Sequence, residues 1–317
     1  MSTSTKTLPQ MMGGLFLTDG GIETTLIYHD GLDLPYFAAF DLFKDEKGTR
    51  ALSRYFARHA SIARKNGVGF ILESATWRAS RDWAEKLGYS MAELEEANRK
   101  AIALLRDTKA EYEAPNSRMV ISGCIGPRGD GYDPGKIMSP EEAQAYHSQQ
   151  VRIFADEEVD MISAITMTNV HEAIGITHAA QQAELPVVIS FTVETDGNLP
   201  TGDSLGKAIA MVDLATGDGP AYYMINCAHP THYESRLMSG EPWVERIGGM
   251  RANASRLSHA ELDKATELDA GDPDELGRQF AGIRARLKRM NVLGGCCGTD
   301  HRHIEKIAMS CVEARAA

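Results

Sequence analysis

A single (β/α)8 barrel is the fold that this sequence predicts, with its functional site at the C-terminal ends of the strands. Three observations predict it. Eight short, continuously apolar segments recur along the chain, as expected of parallel strands covered on both faces. Helix-start signals separate these segments. The 317 residues suit one such barrel, which typically takes about 250. The prediction is therefore one domain over 1–317, with a flexible tail over 1–12. A doubly wound sheet is the alternative. Its glycine-rich dinucleotide loop would follow the first strand, and Asp19-Gly20-Gly21-Ile22-Glu23-Thr24 does not fit G-x-G-x-x-G.

The strands are expected at 14–18, 69–73, 119–122, 160–164, 186–191, 222–225, 246–250 and 291–294. Between them, Ser90 with Glu93 and Asn169 with Glu172 read as helix N-caps. Ser139-Pro140-Glu141-Glu142 adds proline at the first helical position, and Asp272-Pro273-Asp274-Glu275 repeats that device. The last helix places Ile304, Ile307, Ala308 and Cys311 on one face. The longest irregular stretch, 253–271, is expected to carry an extra helix over the barrel mouth.

Charge and composition narrow the function. A net charge of -11 disfavours nucleic acid and anionic membranes as partners. No segment has the ~18 uncharged apolar residues of a membrane span, and the first residues lack the apolar centre of a secretory signal. Five cysteines, an odd and sparse set, argue against a disulfide scaffold and for a reducing cytoplasm. A homo-oligomer is compatible with the sequence.

The chemistry lies in the thiols. Cys227 closes the apolar run 221–227. Cys296 and Cys297 stand between Gly294-Gly295 and Gly298, directly after the eighth strand. In a barrel, these strand ends converge on the face where active sites form. Three thiolates there would leave a tetrahedral zinc one open position, as a catalytic zinc requires. Adjacent cysteines do not close an unstrained disulfide. The bland reading makes the pair small buried hydrophobes, as Cys124 and Cys311 are expected to be. A non-enzymatic reading makes it a zinc store or redox sensor, for which His229 is a candidate fourth ligand.

The chain resembles the homocysteine S-methyltransferase family, zinc-dependent barrels that methylate homocysteine to methionine. The matching stretches are Asp19-Gly20-Gly21, Gly123-Cys124-Ile125-Gly126-Pro127, Ile225-Asn226-Cys227 and Gly294-Gly295-Cys296-Cys297-Gly298-Thr299. The resemblance implies zinc ligands at Cys227, Cys296 and Cys297. It implies that Asp19, Gly20 and Gly21 hold the amino-acid end of homocysteine. Asn226 would orient the metal site.

The sequence departs from the family pattern at two places. Ile165 stands where members commonly carry a glutamate, so Glu194 becomes a candidate for binding the substrate's amino group. Ser74-Ala75-Thr76-Trp77-Arg78 replaces a Thr-Asn-Thr-aromatic run. Trp77 and Tyr36 are expected as aromatic walls for an onium donor, and Arg78 as a contact for a donor carboxylate. The expected reaction moves methyl from S-methylmethionine, S-adenosylmethionine, or a betaine or sulfonium compound to homocysteine. A barrel diverged toward another thiol or sulfonium compound is the alternative.

Overall fold

The computed structural model describes residues 7–316. Eight parallel strands close a barrel in chain order: β1 (Phe16–Leu17), β2 (Gly69–Glu73), β3 (Met119–Ile125), β4 (Met161–Met167), β5 (Val187–Thr192), β6 (Tyr222–Asn226), β7 (Ile247–Ala252) and β8 (Val292–Gly295). β1 pairs with both β2 and β8, which completes the circle. All eight strands lie on the predicted segments. β3 and β4 run three residues past their predicted ends, into the barrel mouth.

The helices outside the barrel are α1 (Glu46–Asn66), α2 (Arg81–Lys86), α3 (Met91–Tyr112), α4 (Pro140–Asp156), α5 (Val170–Gln182), α6 (Leu205–Thr216), α7 (Pro230–Leu237), α8 (His259–Leu262), α9 (Pro273–Arg286) and α10 (His301–Ala316). The predicted starts are built as read. Ser90 and Ser139 form complete capping boxes with Glu93 and Glu142. Asn169 accepts from the Glu172 N–H, and Asp272 accepts from the N–H groups of Asp274 and Glu275. The extra helix over the mouth is a single turn, α8, capped by Ser258 and Glu261.

Two cores result. One fills the shell between strands and helices and includes Phe70, Leu72, Ile162, Ile225, Leu293, Ile304 and Ile307. The other lies inside the barrel, where Phe16, Ile71, Val120, Met161, Val188, Tyr222, Met224 and Val292 meet. These two sets alternate along the strands except β7, which adds nothing to the interior cluster, so the period of two persists within runs that are apolar on both faces.

The interior column changes character toward the mouth. Two residues beyond the apolar layer stand Thr18, Glu73, Ser122, Ser163, Ser190, Asn226 and Arg251, all buried. The opposite end is plugged. Pro9–Met12 form a 3-10 turn with Leu8 in the interior cluster, and Gln10 donates to Met161 Sδ at 3.1 Å and Tyr222 Oη at 3.3 Å. The tail expected over 1–12 is thus docked from Leu8 onward, because Leu8 and Gln10 find partners under the barrel. Residues 1–6 lie outside the described residues.

Candidate metal centre

The strand ends bring Cys227, Cys296 and Cys297 together. Their sulfurs all lie within 4.8 Å of one another, and the Cys227 and Cys297 sulfurs are 4.0 Å apart. Tetrahedral zinc with Zn–S bonds of about 2.3 Å sets its sulfurs about 3.8 Å apart, so the cluster has the right dimensions. Three soft donors with one tetrahedral position left over suit a zinc that accepts a further ligand.

The backbone is bent to place these thiols. Cys227 has φ 55°, a left-handed conformation that costs a non-glycine residue about 1–3 kcal/mol. Thr166, facing it from the end of β4, has φ 66°. Asn226 holds the two bends together. It accepts from the Thr166 N–H at 3.0 Å and from the Ser190 hydroxyl at 2.7 Å, and donates to Thr166 Oγ1 at 2.8 Å. On the other side, Cys296 N–H donates to Ala252 O, and Ala254 N–H donates to Cys297 O. Gly298, at φ 78°, turns the chain after the pair and donates to Thr24 Oγ1 at 3.0 Å.

The segment after β1 packs against this cysteine loop. A side chain at Gly21 would meet Cys296 O at 2.6 Å, so only glycine allows that approach. The Gly21 N–H donates to the carbonyl and hydroxyl oxygens of Thr299. That N–H is therefore committed within the fold. Gly20 O accepts from Tyr55 at 2.9 Å.

Asp19 is likewise committed. Its oxygens accept from Arg251 at 2.6 Å and from Tyr55 at 2.8 Å, and it is buried. Within the fold, Arg251 of β7 is its ion-pair partner. Burial opposes the Arg251 charge, but Asp19 and Glu73, together with Cys296, hold it protonated. Hydrogen bonds from Cys227 and then Cys297 hold the Cys296 thiol well below its usual range, and Arg251 adds to this. Burial pushes the Glu23 carboxyl up to about 7, with Cys296 and Asp19 adding to the rise.

Two mouth loops add a cover. Tyr132 Oη lies 3.2 Å from Cys297 Sγ, and its ring stacks on His259 with centroids 3.9 Å apart. His259, the first residue of α8, donates to Cys227 O at 2.6 Å and sits 3.3 Å from Glu194. Glu194 thus contacts this cover rather than standing free. His229 caps α7 through the Thr231 N–H and is not part of the cysteine cluster.

The expected donor residues fall into two groups. Trp77 Nε1 donates to Ile165 O at 3.2 Å, which sets the indole beside the β4 rim. Arg78 is engaged within the fold. It is buried, donates to Gly129 O at 2.6 Å and is held between Trp77 and Trp83 at 4.0 and 3.9 Å. Its chemistry is spent on fixing the loop after β3. Tyr36 is half exposed and tilts against Trp83 at 5.9 Å.

Arg251, Tyr55, Tyr132 and His259 are site residues that sequence reasoning missed. Arg251 alone left a signal, as a charge closing an otherwise apolar strand.

The homocysteine S-methyltransferase family model matches residues 16–311. A homocysteine S-methyltransferase 4 of Zea mays is 23% identical over 322 residues, covering 95% of this chain and 91% of that protein. A selenocysteine Se-methyltransferase of Brassica oleracea var. italica is 23% identical over 337 residues, covering 99% and 93%. The crystal structure of the homocysteine methyltransferase MmuM from Escherichia coli, metallated form, superposes with a TM-score of 0.72 at 18% identity. That alignment covers 93% of this chain and 95% of the other.

Proposed function

This chain belongs to the homocysteine S-methyltransferase family, and we propose that it moves a methyl group from an onium donor to the sulfur of homocysteine, giving methionine. The observation that carries the reading is the cluster of three thiols within 4.8 Å at the barrel mouth. Cys227, Cys296 and Cys297 would hold a zinc ion. Bound there, zinc would supply a fixed seat and a lowered pKa for the acceptor thiol.

The chain's own residues do the rest. Asn226 and Thr166 hold Cys227 in its bent conformation. Arg251 offsets the negative charge that gathers around Cys296. Tyr132 and His259 stack beside the thiols, with Tyr132 against Cys297. Trp77 offers an aromatic surface at the β4 rim, where a sulfonium or quaternary ammonium donor would find a favourable electrostatic face. The methyl carbon then leaves the donor sulfur or nitrogen in line as its bond to the acceptor sulfur forms, and the donor departs uncharged. Charge disperses in that step, so a water-poor pocket favours it. S-methylmethionine, S-adenosylmethionine and betaine-type compounds all fit this chemistry.

One observation favours a second reading. Ile165 at the β4 rim is apolar and buried, and a barrel with no acid there could act on a thiol other than homocysteine. The test is zinc content by mass spectrometry, combined with methyl transfer across donors and acceptor thiols. We expect one zinc per chain, lost in Cys297→Ser, and methionine formed from homocysteine with one donor. A metal-free protein that transfers methyl at full rate would overturn the reading.

A further inference from the structure

We infer that Glu23 is the acid that receives the α-ammonium group of the acceptor amino acid; the inference rests on the methyltransferase reading above. Glu23 stands in the turn between β1 and the π-helical segment Thr24–His29. That turn is laced to the cysteine loop on both sides. Gly21 donates to Thr299, and Thr24 accepts from Gly298. Glu23 is consequently near enough to Cys296, Asp19 and Arg251 for their charges to act on it, and near enough to act on Arg78 across the mouth.

The other acids of this region are spent. Asp19 is bonded to Arg251 and Tyr55. Asp300 is bonded to Arg302, with His303 and His29 beside it. Glu194 is paired with His259, and Glu73 is sealed inside the barrel. Among the described residues, no side chain hydrogen-bonds to the Glu23 carboxylate, which accepts only from its own backbone N–H and is partly withdrawn from water. Arg251 eases its charge, but Arg251 is bonded to Asp19, so an acid held there beside Asp19 and a thiolate gains from a further cation. The acceptor brings one. In homocysteine, three carbons separate the ammonium from the sulfur, a reach that suits a turn packed directly against Cys296.

The experiment compares two thiols on the zinc-loaded full chain by calorimetric titration. One is L-homocysteine. The other is 4-mercaptobutanoate, which keeps the thiol and carboxylate and lacks the amino group. Glu23→Gln should weaken homocysteine binding about 10- to 100-fold, the size of a lost charged hydrogen bond, and leave 4-mercaptobutanoate unchanged. Glu23→Asp should restore part of the preference. Zinc content and circular dichroism equal to wild type mark a folded variant. Equal weakening of both thiols, or no weakening of homocysteine, overturns the role of Glu23 and leaves the methyltransferase reading standing. A wild-type chain whose zinc form binds neither thiol overturns both.

Discussion

Replacing Glu73 with glutamine should stabilise this protein at neutral pH, by an amount that grows as the pH rises. Glu73 ends β2 and is 4% exposed. Neither carboxylate oxygen meets the geometry of a hydrogen bond; the neighbouring hydroxyls of Ser122 and Ser163, which bond to each other at 2.8 Å, are close enough only to oppose the rise after Arg251. Burial pushes its carboxyl from 4.5 up to about 7; Arg251 opposes the rise and Asp19 adds to it. Cys124 and Tyr222 are the other titratable groups that feel its charge.

A folded-state pKa above the unfolded value means that the native chain holds the extra proton between the two. The stability associated with Glu73 is therefore complete below pH 4.5 and is lost as the pH rises through 7. Each unit of difference is worth about 1.4 kcal/mol, so the loss is roughly 1 kcal/mol at pH 5 and about 3 kcal/mol by pH 8. Glutamine keeps the shape and cannot ionise, so Glu73→Gln should be more stable than wild type by those amounts. Urea unfolding followed by circular dichroism, in half-unit steps from pH 5 to 8, measures this. Burial keeps Cys124, the cysteine that feels Glu73, protonated well above this pH range, and the remaining cysteines titrate alike in both chains and drop out of the difference. A difference that stays flat across the range would refute the reasoning, as would a wild type more stable than the variant at pH 8.

Two further outcomes follow from the charges around the mouth. Arg251→Met should cost about 3–5 kcal/mol in thermal or urea unfolding, because it strands Asp19 as a buried, unpaired acid; adding Asp19→Asn should recover most of that loss. Asp300 should set the acid limb of stability. Burial alone would raise its pKa, yet hydrogen bonds from His303 and Arg302 carry it well below 3.8. Its contribution is thus present above pH 3.8 and lost as the pH falls through its folded value, so unfolding scans of Asp300→Asn should show a flatter decline below pH 4 than wild type.

Much of the barrel was legible because its signals are local. A serine followed three residues later by a glutamate caps a helix wherever it stands, and Ser90 and Ser139 do so. A short apolar run between such signals has few alternatives to a buried strand. The three cysteines were legible for a related reason: a thiol at a strand's C-terminal end reaches the same rim in any closed parallel barrel. The pairings were not legible. Asp19 and Arg251 lie 232 positions apart and meet only because β1 and β7 both flank β8. The Tyr132–His259 stack joins two loops whose paths no periodicity dictates. Arg78 was read as a donor contact, but packing between Trp77 and Trp83 decides its direction. The tail reading failed at Leu8 and Gln10 because the barrel floor that receives them is assembled from β4 and β6.

The ion pair beneath the thiols calls for a physical reason, since burying two charges seldom adds stability over an apolar pair of the same size. Arg251 and Asp19 stand near the mouth, above the layer where Val120, Val188 and Val292 fill the barrel interior with apolar side chains. What an apolar pair would lack is a positive charge near Cys296, the sulfur most favoured to lose its proton. Three thiolates crowded within 4.8 Å repel one another, and that repulsion acts against each sulfur before any metal is bound. A fixed cation under the cluster lowers this cost, while Asp19 and Tyr55 hold it in place. Arg251 therefore acts as a positioning residue for the charge of the site. Its replacement should weaken zinc affinity more than replacement of the neighbouring buried Met250, even when both variants are compared at equal stability.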